Sequence, residues 1–313
     1  MTVEKTRFVD TAATAKVIRS IDRTLKDNAW LVVTGDVGSG KSTLREMLTA
    51  AWRAEPQKYV VIDLPAFRAE GSVLNVLMRY MIRTISPDEQ SPGDAIARFN
   101  RLKTVLMQAH RRRVKPVLVI DEAQELNEIS IREIKKLHEI AAFGMPHLFP
   151  IIMFAKSNTD RLDAILSGRE IGYRVRRSYM APLSPDELIE FAKHFGLTFE
   201  DTKAKNYFLE FCHPSPLGVE HIADRAKDFL GTTSLSRDKL QKLVAQTAKD
   251  ELKFYGISYG DICQRYNDVH NATISKQTAM RVIENNGSVK SATADRIRGV
   301  TRDLITEARS ERA

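Results

Sequence analysis

The run Trp30-Leu-Val-Val-Thr-Gly-Asp-Val-Gly-Ser-Gly-Lys-Ser-Thr43 sets Gly35, Asp36, Val37, Gly38, Ser39 and Gly40 directly before Lys41, Ser42 and Thr43. A G-x-x-x-x-G-K-S spacing after a short apolar strand is the chemistry of a phosphate cradle. Glycines let successive backbone N–H groups turn inward around an anion. Lys41 adds a point charge for the β and γ phosphates, and the Ser42 hydroxyl suits Mg2+. Leu44, Met47, Leu48 and Trp52 then follow at helical spacing, as a loop-to-helix phosphate site requires.

A second cluster of chemistry closes another apolar run, Val117-Leu-Val-Ile-Asp-Glu-Ala-Gln124. Two adjacent carboxylates at a strand end suit phosphoryl transfer: Asp121 as the metal carboxylate and Glu122 as the group that polarises the attacking water. Asp63, which ends Tyr59-Val-Val-Ile-Asp63, lacks the following glutamate and reads as a strand-end or helix-capping residue. Lys156, Ser157 and Asn158 follow the run from Ile151, where a polar group would reach the γ-phosphate, and the sequence does not choose among them. Arg174, Arg176 and Arg177 open a further strand. Alternation puts Arg174 and Arg176 on one face and Arg177 on the other. Arg174 is the candidate for an arginine supplied to a neighbouring subunit's nucleotide, the alternative being a surface or DNA-facing role.

These groups need rigid elements to hold them. Strands are expected at residues 30–34, 59–64, 116–121, 149–155 and 173–180, alternating with helices at 72–85, 94–110 and 129–142, the pattern of an α/β parallel sheet wrapped by helices. After Pro182 only helices are expected: 185–195, 201–212, 218–230 and 236–249, then a helical segment over 252–313. Ser184 and Pro185 suit the start of the first. Three units follow: a nucleotide core at 1–182, a helical lid at 183–250 and a C-terminal module at 251–313.

Composition narrows the classes. A chain of 313 residues with 43% hydrophobic content buries a core readily. Its net charge of +8 favours a polyanionic partner, with basic clusters at Arg111–Arg113 and Arg174–Arg177. No apolar run reaches membrane-spanning length and the first residues lack a signal-peptide core, so a cytoplasmic protein is expected. Cys212 and Cys263 lie far apart without metal-ligand spacing and read as packing residues.

Phosphate loop, Asp121-Glu122-Ala-Gln, arginine-bearing strand and helical lid, in that order, resemble the AAA+ ATPases. With Phe8-Val-Asp-Thr11 and Tyr173-Arg-Val-Arg-Arg-Ser-Tyr-Met-Ala-Pro-Leu-Ser184 added, residues 8 to 230 look like the transposition regulators, the B protein of phage Mu and the TnsC or TniB type. ExeA-type secretion ATPases share much of the pattern. The resemblance implies an AAA+ P-loop sheet, ATP and Mg2+ as cofactors, and a homo-oligomer, ring or filament, assembled on DNA of any sequence. A transposase or other transposition protein would be its partner. A lid arginine common in these ATPases is missing from Ser215-Pro-Leu-Gly-Val-Glu-His221, leaving His221 or Arg225 as substitutes. For contact with duplex DNA, residues around Arg68 to Arg83 are expected, with Arg111 to Arg113 the alternative.

The C-terminal segment looks like the lac-repressor type of helix-turn-helix. The likeness makes Ser275 the cap of a recognition helix whose Lys276, Gln277 and Arg281 approach base edges or phosphates. Docking of a partner protein is the alternative for that module. For the whole chain, the rivals to transposition are a replication initiator or helicase loader and an ExeA-type secretion ATPase.

Overall fold

The computed structural model describes residues 11–65, 73–157, 160–168, 174–284, 289 and 291–312. Phe8–Asp10, Arg68, Asn158 and Tyr173, invoked above, lie outside them. Two compact units emerge, Met1–Ser184 with Ser215–Leu217, and Pro185–Pro214 with Gly218–Ala313.

In the first unit β1 (Trp30–Gly35), β2 (Tyr59–Pro65), β3 (Lys115–Asp121), β4 (Ile151–Lys156) and β5 (Val175–Met180) form one sheet in the order β2-β3-β4-β1-β5. All neighbours pair in parallel. A parallel sheet is buried on both faces, which is why its central strands are almost wholly apolar. Trp30, Val32, Leu118, Ile120, Ile151 and Met153 point to one side, packing with α3 (Leu74–Ile85), α4 (Ala95–Arg111), α5 (Glu128–His138) and α6 (Asp160–Ser167). Leu31, Val33, Val117, Val119, Ile152 and Phe154 point to the other, packing with α1 (Ala12–Asp27) and α2 (Lys41–Arg53). Register places Gly35 beside Lys156 and Met180, so the loops leaving these strands gather at one carboxyl edge.

The expected α/β class and its strands stand, with shifts at the ends. Helix α5 stops at His138 rather than 142, because Phe143 and Gly144 adopt φ of 55° and 75° and turn the chain into an Ala142–Met145 bridge. Strand β5 starts at Val175, two residues later than expected. Helix α1 had no counterpart in the sequence reading; Thr11 and Thr14 close its N-terminus as a reciprocal capping box.

The second unit comprises α7 (Pro185–His194), α8 (Thr202–Phe211), α9 (Pro216–Leu230) from Gly218 onward, α10 (Arg237–Tyr255), α11 (Tyr259–His270), α12 (Lys276–Ile283) and α13 (Ser291–Arg312). It is not purely helical as expected. Thr198–Phe199 (β6) pairs in parallel with Ser234–Leu235 (β7), a ladder two residues long on each side. Helix α10 is continuous through residues 250 and 251. Its Leu240 and Leu243 are buried next to α8, and its Leu252 belongs to a separate core with Ile262, Tyr266, Ala279, Val282 and Ile297. Cys212 and Cys263 are both free; burial pushes the Cys212 thiol up to about 12.

Candidate nucleotide site

Helix α2 begins differently from the other α-helices whose N-caps are described. Thr11, Asp94, Asn127, Asp201, Ser236, Ser258 and Ser275 each cap a helix through their side chain. Helix α3 has the apolar N-cap Val73, yet the buried Glu133 carboxylate accepts from the Val73 and Leu74 N–H groups at 2.9 and 3.0 Å. Helix α2 starts at Gly40, with no side-chain cap and no acidic residue in its first turn. Its first N–H groups and the positive end of its dipole are therefore left for an anion.

Glycine is required around this terminus. Gly40 has φ 90°, a region where a side chain is strained. A Cβ on Gly35 would lie 3.0 Å from Met180 Cβ and 3.1 Å from Met180 O, so β5 could not approach β1. Lys41 curls back over the loop, its Nζ donating to Gly35 O at 2.6 Å and Asp36 O at 2.8 Å. Burial lowers the Lys41 pKa, opposed by the charges of Glu122, Asp36 and Asp121. Those three carboxylates thus surround the ammonium electrostatically. Ser42 and Thr43 are exposed in the first turn of α2, and Val37 and Ser39 lie in the loop itself.

Asp121 ends β3, and its Oδ2 lies 3.1 Å from Arg45 Nε, an ion pair whose angle falls short of a hydrogen bond. Arg45 Nη1 also donates to Asp63 Oδ1 at 2.8 Å, and Arg53 donates to Asp63 Oδ2 at 3.0 Å. Asp63 is therefore the acid of an arginine pair beside the site. Glu122 takes left-handed angles, φ 49° and ψ 42°, at the start of a 3-10 turn over Ala123–Glu125. Its N–H is held by Asp121 Oδ1 at 3.0 Å. Non-glycine residues pay strain there, which is characteristic of functional positions.

Gln124, the last residue of the Asp121-Glu122-Ala-Gln124 run, joins two parts of the site. Its buried amide donates to Glu122 Oε2, while its Oε1 accepts from the Lys156 N–H at 3.1 Å. At the next residue, the Ser157 hydroxyl bonds Asp36 Oδ1 and its N–H donates to Gly35 O at 3.1 Å. Tyr179 OH reaches Asp36 Oδ2 at 3.4 Å. Of the sensor candidates, Lys156 meets the network through its backbone N–H, and Ser157 through both its hydroxyl and its N–H.

A hydroxyl and a single carboxylate with phosphate oxygens suit Mg2+, which is held by few protein ligands. Among the described residues no group of three or more His, Cys, Asp or Glu side chains is placed to hold a metal ion.

The arginines of β5 lie elsewhere. Arg174 pairs with Glu139, Arg176 with Asp27 at 2.5 Å and Arg177 with Asp163 at 3.3 Å. Arg174 and Arg176 do not share a face as expected: the pleat begins at Val175, so Arg174 turns to the end of α5 while Arg176 meets the end of α1. Val175 stands beside Trp30, at the amino edge of the sheet, opposite the phosphate loop. Arg225 bonds His221 Nε2, Thr247 and Asp250. Lys276, Gln277 and Arg281 are exposed on α12, and Ser275 caps it by accepting from Thr278 N at 3.0 Å.

Residues 23–162 match the family model of an AAA domain. Three solved structures align over nearly the whole chain. The ORC2 protein of Aeropyrum pernix, solved as ADPNP-ADP complexes, is 15% identical, with TM-score 0.51 over 95% of this chain and 94% of its own. Cdc6p of Pyrobaculum aerophilum is 12% identical, with TM-score 0.50 over 96% and 88%. The ORC1 protein of Aeropyrum pernix, solved in complex with DNA, is 11% identical, with TM-score 0.50 over 97% and 86%. No curated protein sequence matches the chain. The fold is the α/β AAA+ type with a helical C-terminal region. Among the described residues, no helix is long and apolar enough to cross a membrane.

Proposed function

We propose that the chain is an ATP-hydrolysing AAA+ switch that assembles on duplex DNA and regulates transposition by engaging a transposase. The observation that carries the nucleotide part is the uncapped N-terminus of α2, set beside a lysine, two adjacent strand-end carboxylates and the strained Glu122. In this reading Gly35–Thr43 bind the phosphates, Lys41 neutralises their charge, and Ser42 with Asp121 hold Mg2+. Mg2+, where bound, would supply stabilisation of the charge that develops on the phosphates. Glu122 orients a water in line with the γ-phosphorus and accepts its proton as the bond to the β–γ bridging oxygen breaks, yielding ADP and phosphate. Arg174, at the opposite edge of the sheet, serves the site of an adjacent copy.

The DNA part is supported by Lys276, Gln277 and Arg281, exposed together on the short α12, and by the net positive charge of the chain. Transposition rests on the sequence resemblance. A replication initiator or helicase loader is a second reading, favoured by a likeness to the DNA-bound ORC1 protein that covers 97% of this chain.

Electron microscopy of the purified protein with ATP or a slow analogue, with and without random-sequence duplex, tests the assembly. ATP-dependent rings or filaments on generic DNA, absent for Lys41→Ala and trapped for Glu122→Gln, are expected. No assembly on generic duplex removes the transposition reading, and a tight footprint on one defined sequence favours the second.

A further inference from the structure

Gln124 is a buried side chain whose two polar ends face two different parts of the site. Its Nε2 grips the Glu122 carboxylate, and its Oε1 takes the Lys156 N–H at the carboxyl end of β4. These donors and acceptors fix which way the amide lies, since a flipped amide would set its oxygen against the carboxylate and its NH2 against an N–H. From Lys156 the path continues in one step to Ser157, which is bonded to both Asp36 and Gly35 of the phosphate loop. Glu122 itself sits on a left-handed backbone and is exposed, so its own main chain and packing do little to choose a rotamer.

We infer that Gln124 is a positioning residue: it aims the Glu122 carboxylate and ties that aim to the phosphate loop through the end of β4. The inference rests on the reading of Glu122 as the group that activates water. A side chain held within a fraction of an ångström is what in-line attack demands, and a loosened one lowers the turnover number without weakening nucleotide binding.

Steady-state ATP hydrolysis and titration with a fluorescent ATP analogue, both on the full chain, test it with four variants. Glu122→Gln should slow turnover by about 100-fold with analogue affinity within about twofold of wild type, upholding the role of Glu122. Gln124→Met removes both bonds at similar volume and should lower kcat by about tenfold, again with affinity within about twofold. Gln124→Glu keeps the acceptor for Lys156 and places a like charge against Glu122; it should lower kcat at least as much, and it supplies the test should Gln124→Met not fold. In the double variant Glu122→Gln/Gln124→Met, turnover should be no slower than in Glu122→Gln alone, because nothing is left to aim.

Turnover within about twofold of wild type in Gln124→Glu or Gln124→Met overturns the inference. So does a loss of affinity that matches the loss of kcat, or a further tenfold fall in the double variant, since a merely structural role adds. If Glu122→Gln turns over normally, the reading of Glu122 falls first and the inference with it. A slow Glu122→Gln beside a normal Gln124→Glu sinks the inference alone.

Discussion

His138 lies flat on His147, their rings 4.0 Å apart and 5° from parallel, with Trp30 and Phe149 meeting the His138 ring edge-on. His138 is buried, its Nε2 lies 3.0 Å from Asn28 O, and burial together with the charge of His147 lowers its pKa to about 4. The folded value lies below the unfolded one of 6.5, so protonation favours the unfolded chain. The stability contributed by neutral His138 is complete above pH 6.5 and should fall by up to about 3 kcal/mol as pH drops towards 4. Urea melts across that window, compared with His138→Gln, read the difference; equal slopes for the two proteins would remove His138 as the cause.

Glu122 should gain from glycine and lose nothing to it in the backbone. Because its φ is 49°, Glu122→Gly is expected to be more stable than Glu122→Ala by about 1 kcal/mol, although glycine ordinarily costs stability. Paired denaturation curves measure this. An alanine variant as stable as the glycine variant would show that no strain is held at this residue.

Arg45 and Arg53 both touch Asp63, yet they should differ in weight. The Arg45 side chain is 19% exposed and also meets Asp121, while Arg53 is 56% exposed. Arg45→Ala is expected to cost about 2 kcal/mol, discounted from a fully buried pair because water still reaches these carboxylates, and Arg53→Ala less than about 1 kcal/mol. Equal losses in thermal melts would contradict the ranking.

For the C-terminal helix, salt dependence is the sharper probe. Lys276→Ala and Arg281→Ala, measured against duplex DNA at several salt concentrations, should each reduce the slope of log affinity on log salt by about 1 if each meets a phosphate. ATP hydrolysis without DNA should stay at the wild-type rate. Unchanged slopes would return α12 to the role of a protein-docking helix.

Subunit mixing addresses Arg174. Glu122→Gln and Arg174→Ala proteins, each slow alone, should recover about a quarter of the sites when mixed equally, because one interface type pairs an intact Glu122 with an intact arginine. A mixture no faster than its parents would confine Arg174 to its pairing with Glu139.

The sheet was legible because burial on both faces leaves continuous apolar runs, and the loop at Gly35–Ser42 because its chemistry is local. What escaped depended on distance or brevity. Gln124 meets Lys156 32 residues away, and Arg174 meets Glu139 35 residues away, with no spacing to betray either. The β6–β7 ladder is too short to show a period. Helix α1 did carry a signal, Val17, Ile21 and Leu25 at four-residue steps, behind a Thr-x-x-Thr cap in place of the usual acidic one.

Helix α10 has 19 residues, a rod about 28 Å long. One end carries Leu240 and Leu243, the other Leu252 in the core that seats α12. An unbroken α-helix fixes angular phase, so adding one residue between Leu243 and Leu252 would swing everything beyond it by about 100° and advance it by about 1.5 Å. The rod is a shaft without a slip joint: the segment beside α8 and the Leu252 end, in whose core α12 packs, belong to one unbroken helix.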